Sequence, residues 1–166
     1  MQTIPARPLQ SVVLPQALKK QLMADMDDFV SKDTGDYYLE HGIPYKRSYL
    51  FYGVPGAGKT SLVQALAGHY SRNVCYIHPT HPLMTDDSLR AAVNTAPADS
   101  IIVFEDIDAM FGRNRENKVK SSCLTFSGLL NALDGIGNPQ GQVCCCIRGW
   151  ADIHNTRADL RAHDQL

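Results

Sequence analysis

One eight-residue stretch, GVPGAGKT at residues 53–60, constrains the fold of this chain more than any other feature. It matches the pattern G-x-x-x-x-G-K-[ST], in which a loop joins a strand to a helix and wraps around phosphate groups. Glycines leave the backbone N–H groups unobstructed, and the following helix directs its positive end at the same anion. We therefore predict a phosphate-binding loop (P-loop) with the residues Gly53, Val54, Pro55, Gly56, Ala57, Gly58, Lys59, Thr60 and Ser61.

Two side chains of this loop have predicted chemical roles. Lys59 is expected to reach the β- and γ-phosphates of a nucleotide such as ATP, and the Thr60 hydroxyl is expected to ligate Mg²⁺. A glycine-rich turn that merely begins a core helix would not require Lys and Thr at the start of that helix. The motif therefore favours nucleotide binding over a purely structural turn.

Predicted strands and helices alternate along the chain. Helical periodicity or strand-like apolar runs, bounded by Gly and Pro, mark each element. We expect Asp86 to cap the helix that follows the second strand. The pattern predicts an α/β fold of the P-loop NTPase type, with a mostly parallel sheet flanked by helices. The predicted helices are 16–31, a short one within 31–47, 59–68, 86–96 and 124–135; the strands are 48–53, 73–78, 100–104 and a possible fourth within 141–147.

Three carboxylates follow the third predicted strand, in the stretch IIVFEDIDAMF at residues 101–111. They are Glu105, Asp106 and Asp108. One carboxylate can hold Mg²⁺ through its water shell, and its neighbour can orient or deprotonate the attacking water. The alternative is an acidic loop that happens to follow a strand. With a P-loop upstream, the first interpretation is favoured.

Charge and cysteine content limit the partners and the compartment. Of the 166 residues, 16 are basic and 17 acidic, so no net field attracts nucleic acid or anionic membrane. Residues 112–122 are basic but lack aromatics, which favours a solvated loop. The five cysteines form no CxxC pair, and His78 and His81 each precede a proline with no acidic or thiol ligand adjacent, so we expect a loop or surface role for both and no zinc site. No membrane segment or targeting signal is visible, which indicates an intracellular protein with reduced thiols.

Five ordered motifs resemble those of the Bcs-type AAA+ ATPases, the family of a mitochondrial chaperone that helps to assemble respiratory complex III. The resemblance covers about residues 7–143. The motifs are RPLQSVVLP, HGIPYKRSYLFYGVPGAGKTS, MTDDSLRAAV, IIVFEDIDAMF and TFSGLLNALDG.

This resemblance implies ATP hydrolysis by a homo-oligomeric ring, coupled to remodelling or translocation of a protein client, at the mitochondrial inner membrane. It implies catalytic roles for Lys59, Glu105 and Asp106. General AAA+ proteins have Asp then Glu after the third strand, whereas this chain has the inverted order that Bcs-type proteins share. By position Glu105 would serve the metal and Asp106 the water, but the inversion leaves the two individual roles open.

The sequence also departs from the family pattern. The family's membrane helix and specific domain would precede residue 7, and its arginine finger and helical lid would follow. We therefore divide the chain into an incomplete AAA+ core, residues 1–143, and a divergent tail, residues 144–166. In the tail Gly149 occupies the position of the family's sensor asparagine, and neither Asn155, Arg157 nor Arg161 lies in a family motif.

These departures leave more than one function open. The first is an ATPase core of Bcs type. The second is a nucleotide-binding module with little or no turnover, because the sensor, finger and lid are absent. A small-molecule kinase is a third, weaker reading, since no arginine-rich lid is apparent.

Overall fold

Four parallel strands form the central sheet of the computed structural model, which describes residues 7–110, 123–134 and 140–149. The order across the sheet is β1-β4-β3-β2, and all neighbouring strands are parallel. This confirms the predicted α/β fold, and the possible fourth strand is confirmed as β4. The strands are β1 (Lys46–Gly53), β2 (Asn73–Ile77), β3 (Ser100–Phe104) and β4 (Gln142–Gly149).

Six α-helices and one short 3₁₀ helix lie in the described part of the chain. The predicted helices are confirmed, with boundaries that differ by one or two residues. Helix α5 was not predicted, because four residues are too few to show helical periodicity. The helices are η1 (Leu9–Ser11), α1 (Gln16–Val30), α2 (Lys32–Glu40), α3 (Lys59–His69), α4 (Asp86–Thr95), α5 (Ile107–Met110) and α6 (Phe126–Asp134).

Two apolar cores, one on each face of the sheet, make the fold a three-layer sandwich. Alternate residues of a strand point to opposite faces, so β3 contributes to both cores and is buried along its whole length. On one face Ile101 and Val103 pack with apolar residues of α1 and α3. On the other face Ile102 and Phe104 pack with residues of α4 and α6. The continuous apolar run of β3 therefore reflects coverage of both faces, as expected for a parallel sheet.

Strand β4 crosses the boundary that we placed after Val143. It pairs with β1 along its full length and with β3 from Val143 to Cys146. Cys145 is fully buried in the core beside α1 and α3, and Cys144 is buried on the opposite face. The residues 144–149 thus complete the middle of the sheet, and the rest of the tail lies outside the described residues.

The thiols of β4 are expected to be unreactive in the folded protein. Burial raises the pKa of Cys145 well above its ordinary value and that of Cys146 to about 12. Cys123, by contrast, is exposed. Because the thiolate is the reactive form, we expect Cys123 to react first with a thiol reagent at pH 8, and Cys145 and Cys146 only on unfolding.

Ellman's reagent measures this order directly. The fast phase should disappear in Cys123→Ser and remain in Cys145→Ser. A fast phase that survives loss of Cys123 and disappears with Cys146→Ser would contradict the burial of β4. Ionisation of the buried thiols is also costly, so their stabilising contribution, present below pH 9, should be lost as the pH rises towards 12.

The prediction that Asp86 caps α4 is wrong. Thr85 is the cap: its hydroxyl accepts from the N–H of Ser88 at 3.1 Å, and the Ser88 hydroxyl accepts from the N–H of Thr85 at 2.8 Å. Thr85 holds extended backbone before the helix, whereas Asp86 is already helical. The Asp86 carboxylate instead accepts two hydrogen bonds from Thr125, at 2.7 Å each, immediately before α6.

Asp86 therefore fastens the start of α6 to α4. Thr125 in turn accepts from the N–H of Gly128 at 2.9 Å, and a Cβ added to Gly128 would lie 2.1 Å from Asp86 Oδ1. The carboxylate also lies near the positive end of α6, which favours its charge. A side chain at residue 128 would therefore displace the Asp86 carboxylate from its contact with Thr125.

We expect Asp86→Ala to lower the free energy of unfolding by about 1–2 kcal/mol, because two charge-assisted hydrogen bonds are lost. Asp87→Ala is the matched control. Asp87 is the next residue, has a 90% exposed side chain and, among the described residues, forms an ion pair with Arg90 on the same helix. Its loss should cost less than about 0.5 kcal/mol. Urea unfolding of both variants measures the difference, and equal midpoints would show that the Asp86–Thr125 contact adds no stability.

Candidate nucleotide-binding site

The P-loop lies between the end of β1 at Gly53 and the start of α3 at Lys59. Gly56 and Gly58 have φ angles of 80° and 85°, in the left-handed region that favours glycine. A Cβ added at either position would meet no atom of the described residues within 4 Å. Packing within the chain therefore does not explain these glycines. The positive φ angles explain them, and the empty space beside the two glycines can receive an anion.

Helix α3 begins without a side-chain cap. Gly58 occupies the N-cap position and has no side chain that could accept a hydrogen bond from the first turn. Helix α2 is capped by Ser31 and helix α4 by Thr85. The first N–H groups of α3 thus lack the side-chain acceptor found at those two helices, and they can donate to a bound phosphate.

Lys59 is almost fully buried, with 8% of its surface exposed. Its ammonium group donates to the carbonyl oxygens of Gly53 and Val54, at 2.9 Å each. These two bonds hold the ammonium group against the backbone of the P-loop. The side chain predicted to contact phosphate is therefore already placed at the loop.

Thr60 and Glu105 are brought together from different parts of the chain. The Thr60 hydroxyl donates to Glu105 Oε1 at 3.3 Å. Thr60 lies in the first turn of α3, and Glu105 directly follows β3. Carboxyl ends of parallel strands share one edge of a sheet, which is why the loop after β1 and the carboxylate after β3 meet there.

The other two predicted carboxylates are Asp106 and Asp108. Asp106 is exposed and has a φ of 54°, a left-handed conformation that is uncommon outside glycine. Within the described residues Asp106 makes no hydrogen bond to the P-loop. Asp108 belongs to α5, and its side chain lies outside the description. The structure thus brings Glu105 to Thr60 and leaves Asp106 facing solvent.

His78 is a neighbour of this site that the sequence analysis missed. Its Nδ1 lies 3.6 Å from Glu105 Oε2. We gave it a loop or surface role because of the nearby prolines, although it is also the last residue of the predicted strand 73–78. The available signal was its position directly after β2, since a polar residue at the carboxyl end of a parallel strand faces the same edge as the P-loop.

The residue at the position of the family's sensor asparagine also lies at this edge of the sheet. Gly149 is the last residue of β4 and is the register partner of Gly53, where the P-loop starts. Glycine offers no polar side chain there. The other candidates in the tail, Asn155, Arg157 and Arg161, lie outside the described residues, as does the basic stretch 112–122.

The residues present fit a magnesium-bound nucleotide. The glycine-rich turn has an open side, the first turn of α3 has N–H groups without a side-chain cap, and Lys59 supplies a positive charge. Thr60 and Glu105 supply hydroxyl and carboxylate oxygens, which Mg²⁺ prefers. The donor set is therefore complete enough for a phosphate–magnesium site.

A parallel sheet with a P-loop after β1 and a carboxylate after β3 defines a P-loop nucleoside triphosphatase fold. The model of the ATPase family associated with various cellular activities (AAA) matches residues 49–155. The chain therefore belongs to the AAA family, and membership implies nucleotide binding. The matched span extends past residue 143, where we placed the end of the resemblance.

The curated relatives of this chain include proteins named mitochondrial chaperone BCS1. The human protein is 43% identical over 169 residues, which cover 95% of this chain and 40% of the relative. The protein from Schizosaccharomyces pombe, named as probable, is 42% identical over 132 residues, covering 78% of this chain and 29% of the relative. The chain thus spans less than half the length of these relatives, and the Bcs-type resemblance is confirmed.

A solved structure supports the fold. A point mutant of RuvB from Thermotoga maritima superposes with a TM-score of 0.53 at 15% identity, covering 86% of this chain and 42% of that one. At this identity the likeness concerns the fold alone. Within residues 7–110, 123–134 and 140–149, no helix has the length and apolar character that a membrane span requires.

Proposed function

We propose that this chain is an AAA ATPase core that binds ATP with Mg²⁺ and hydrolyses it. The observation that carries the proposal is the 3.3 Å contact between Thr60 and Glu105. Strands β1 and β3 are separated by β4, yet the loop after one and the carboxylate after the other touch. The Thr60 hydroxyl and the Glu105 carboxylate must lie close together if both are to hold one metal ion.

Each residue of the site has a proposed role. The backbone N–H groups of residues 53–61 surround the phosphates, and Lys59 neutralises charge on the β- and γ-phosphates. Thr60 and Glu105 hold the metal, partly through water, because they are the pair in contact. Asp106, which faces solvent, orients or deprotonates the attacking water. Bound Mg²⁺ would neutralise charge that develops on the phosphate oxygens.

The partners and the location of the protein are proposed from its relatives. Those relatives are named as mitochondrial chaperones. We propose that ATP turnover drives remodelling or translocation of a protein client by a homo-oligomeric ring in mitochondria, at the inner membrane. ATP and ADP are then the small-molecule partners, and nucleic acid is not a partner.

One observation favours a second candidate, a nucleotide-binding module with little turnover. Gly149 stands beside Gly53 at the site edge of the sheet, where the resemblance places an asparagine that positions water. A glycine leaves that water without a side-chain partner. In this candidate the P-loop binds nucleotide normally while the hydrolytic step is slow.

Phosphate release under steady-state conditions distinguishes the two candidates. An ATPase releases phosphate in proportion to protein concentration, above the background set by Lys59→Ala. A binding module shows nucleotide affinity but no release above that background. A chain with neither property would contradict both.

A further inference from the structure

His78 is fixed beside Glu105 by the pairing of β2 with β3. The last register pair of the two strands is Ile77 with Phe104, and His78 and Glu105 are the residues that follow. The N–H of Glu105 also donates to the carbonyl of Ile77 at 3.3 Å. The carbonyl of His78 accepts from the N–H of His81 at 3.1 Å, which turns the chain away from the strand. Backbone contacts therefore set the position of His78 on both sides.

The two oxygens of Glu105 are approached from two different elements. Oε1 accepts from the Thr60 hydroxyl at 3.3 Å, and Oε2 lies 3.6 Å from His78 Nδ1. A hydroxyl can donate its hydrogen and still offer a lone pair to a metal, so Thr60 can keep this contact in a loaded site. A glutamate side chain has several rotatable bonds, and one contact leaves its carboxylate free to turn. The second contact restricts that rotation.

Packing does not explain the placement of the imidazole. The side chain of His78 is 62% exposed, whereas that of Glu105 is 25% exposed. Removing the ring therefore leaves no cavity in either core. The polar contact with Glu105 is what this side chain adds at the site.

We propose that His78 is a positioning residue, which orients the Glu105 carboxylate for the metal that accompanies the nucleotide. The inference rests on the proposed Mg²⁺–ATP site. Partners that orient a metal-binding carboxylate typically change metal affinity or activity by 10–100-fold when removed. We expect His78→Ala to weaken ATP binding about tenfold in the presence of Mg²⁺ and to leave binding in EDTA unchanged.

The experiment measures the dissociation constant of ATP for the full chain, with Mg²⁺ and with EDTA, in the wild type and three variants. His78→Ala removes the contact. His78→Asn restores an N–H donor at the δ position without the ring. His81→Ala is the matched control, because His81 is an exposed histidine of the same loop whose Nδ1 accepts from the N–H of Leu83. Urea unfolding without nucleotide verifies that each variant folds.

The inference requires a loss of Mg²⁺-dependent affinity in His78→Ala that His78→Asn recovers and His81→Ala does not show. Equal Mg²⁺ dependence in the wild type and His78→Ala would overturn the role of His78 while the proposed function stands. An equal loss in the Ala and Asn variants would also overturn it, since a donor at the δ position would then be irrelevant. A wild type without nucleotide affinity would overturn the proposed function and the role of His78 together.

Discussion

Replacing Lys59 with alanine should abolish the stabilisation of the folded protein by nucleotide. With ATP at about a hundred times its dissociation constant, the wild type should gain about 2.7 kcal/mol. For a chain of this size that corresponds to a rise in Tm of about 5–10 °C. The variant lacks the positive charge held at the loop by the carbonyls of Gly53 and Val54, so its Tm should not respond to Mg²⁺ and ATP.

Thermal unfolding with and without nucleotide measures this effect. Lys20→Ala is the matched control, because Lys20 is an exposed lysine of α1. Its loss should leave the shift intact. The nucleotide-free Tm of Lys59→Ala reports separately on the two lost hydrogen bonds to the loop. A Lys59 variant that is stabilised as much as the wild type would contradict the proposed role of Lys59 in nucleotide binding.

Replacing Asp106 with asparagine should reduce phosphate release about 10²–10⁴-fold, with little change in affinity for ATP and Mg²⁺. Asparagine tolerates the left-handed backbone as well as aspartate does, so the substitution removes the charge and the proton acceptor without strain. If turnover is already slow because of Gly149, single-turnover measurements extend the usable range. Phosphate release and ATP affinity are both recorded.

Asp99 provides a control with the same chemistry and the same backbone. It has a φ of 58°, is 75% exposed and precedes β3, whereas Asp106 follows that strand. Asp99→Asn should leave phosphate release unchanged. If Asp106→Asn retains full turnover while Glu105→Gln loses it without loss of metal affinity, the roles of the two carboxylates are the reverse of those proposed.

The sequence alone predicted those features that depend on local patterns of residue type. The P-loop glycines, Lys59 and the apolar run of β3 are local patterns, and their residue types are dictated by positive φ, charge or burial on both faces. The alternation of elements was equally local. These features predicted the fold, and they supplied the residues of the candidate site.

Other features depended on contacts between distant residues. Asp86 stands in a good position for a cap, but its carboxylate accepts from Thr125, thirty-nine residues away. The sequence alone does not show that His78 lies beside Glu105, because that contact depends on the pairing of β2 with β3. The boundary after Val143 followed a change in family motif, whereas β4 continues because its alternating side chains fill both cores. A local sequence pattern does not show which distant residues will be in contact.

The order of the sheet has a consequence for how the protein is made. Strand β4 is the last described strand in the chain but lies between β1 and β3, so it separates the strand before the P-loop from the strand before Glu105. A nascent chain that has emerged only as far as α6 carries both halves of the site without the strand that spaces them. Contacts of such long sequence separation form slowly. We therefore expect the candidate site to form only after residues 142–149 leave the ribosome, and we expect the facing edges of β1 and β3 to be unpaired until then.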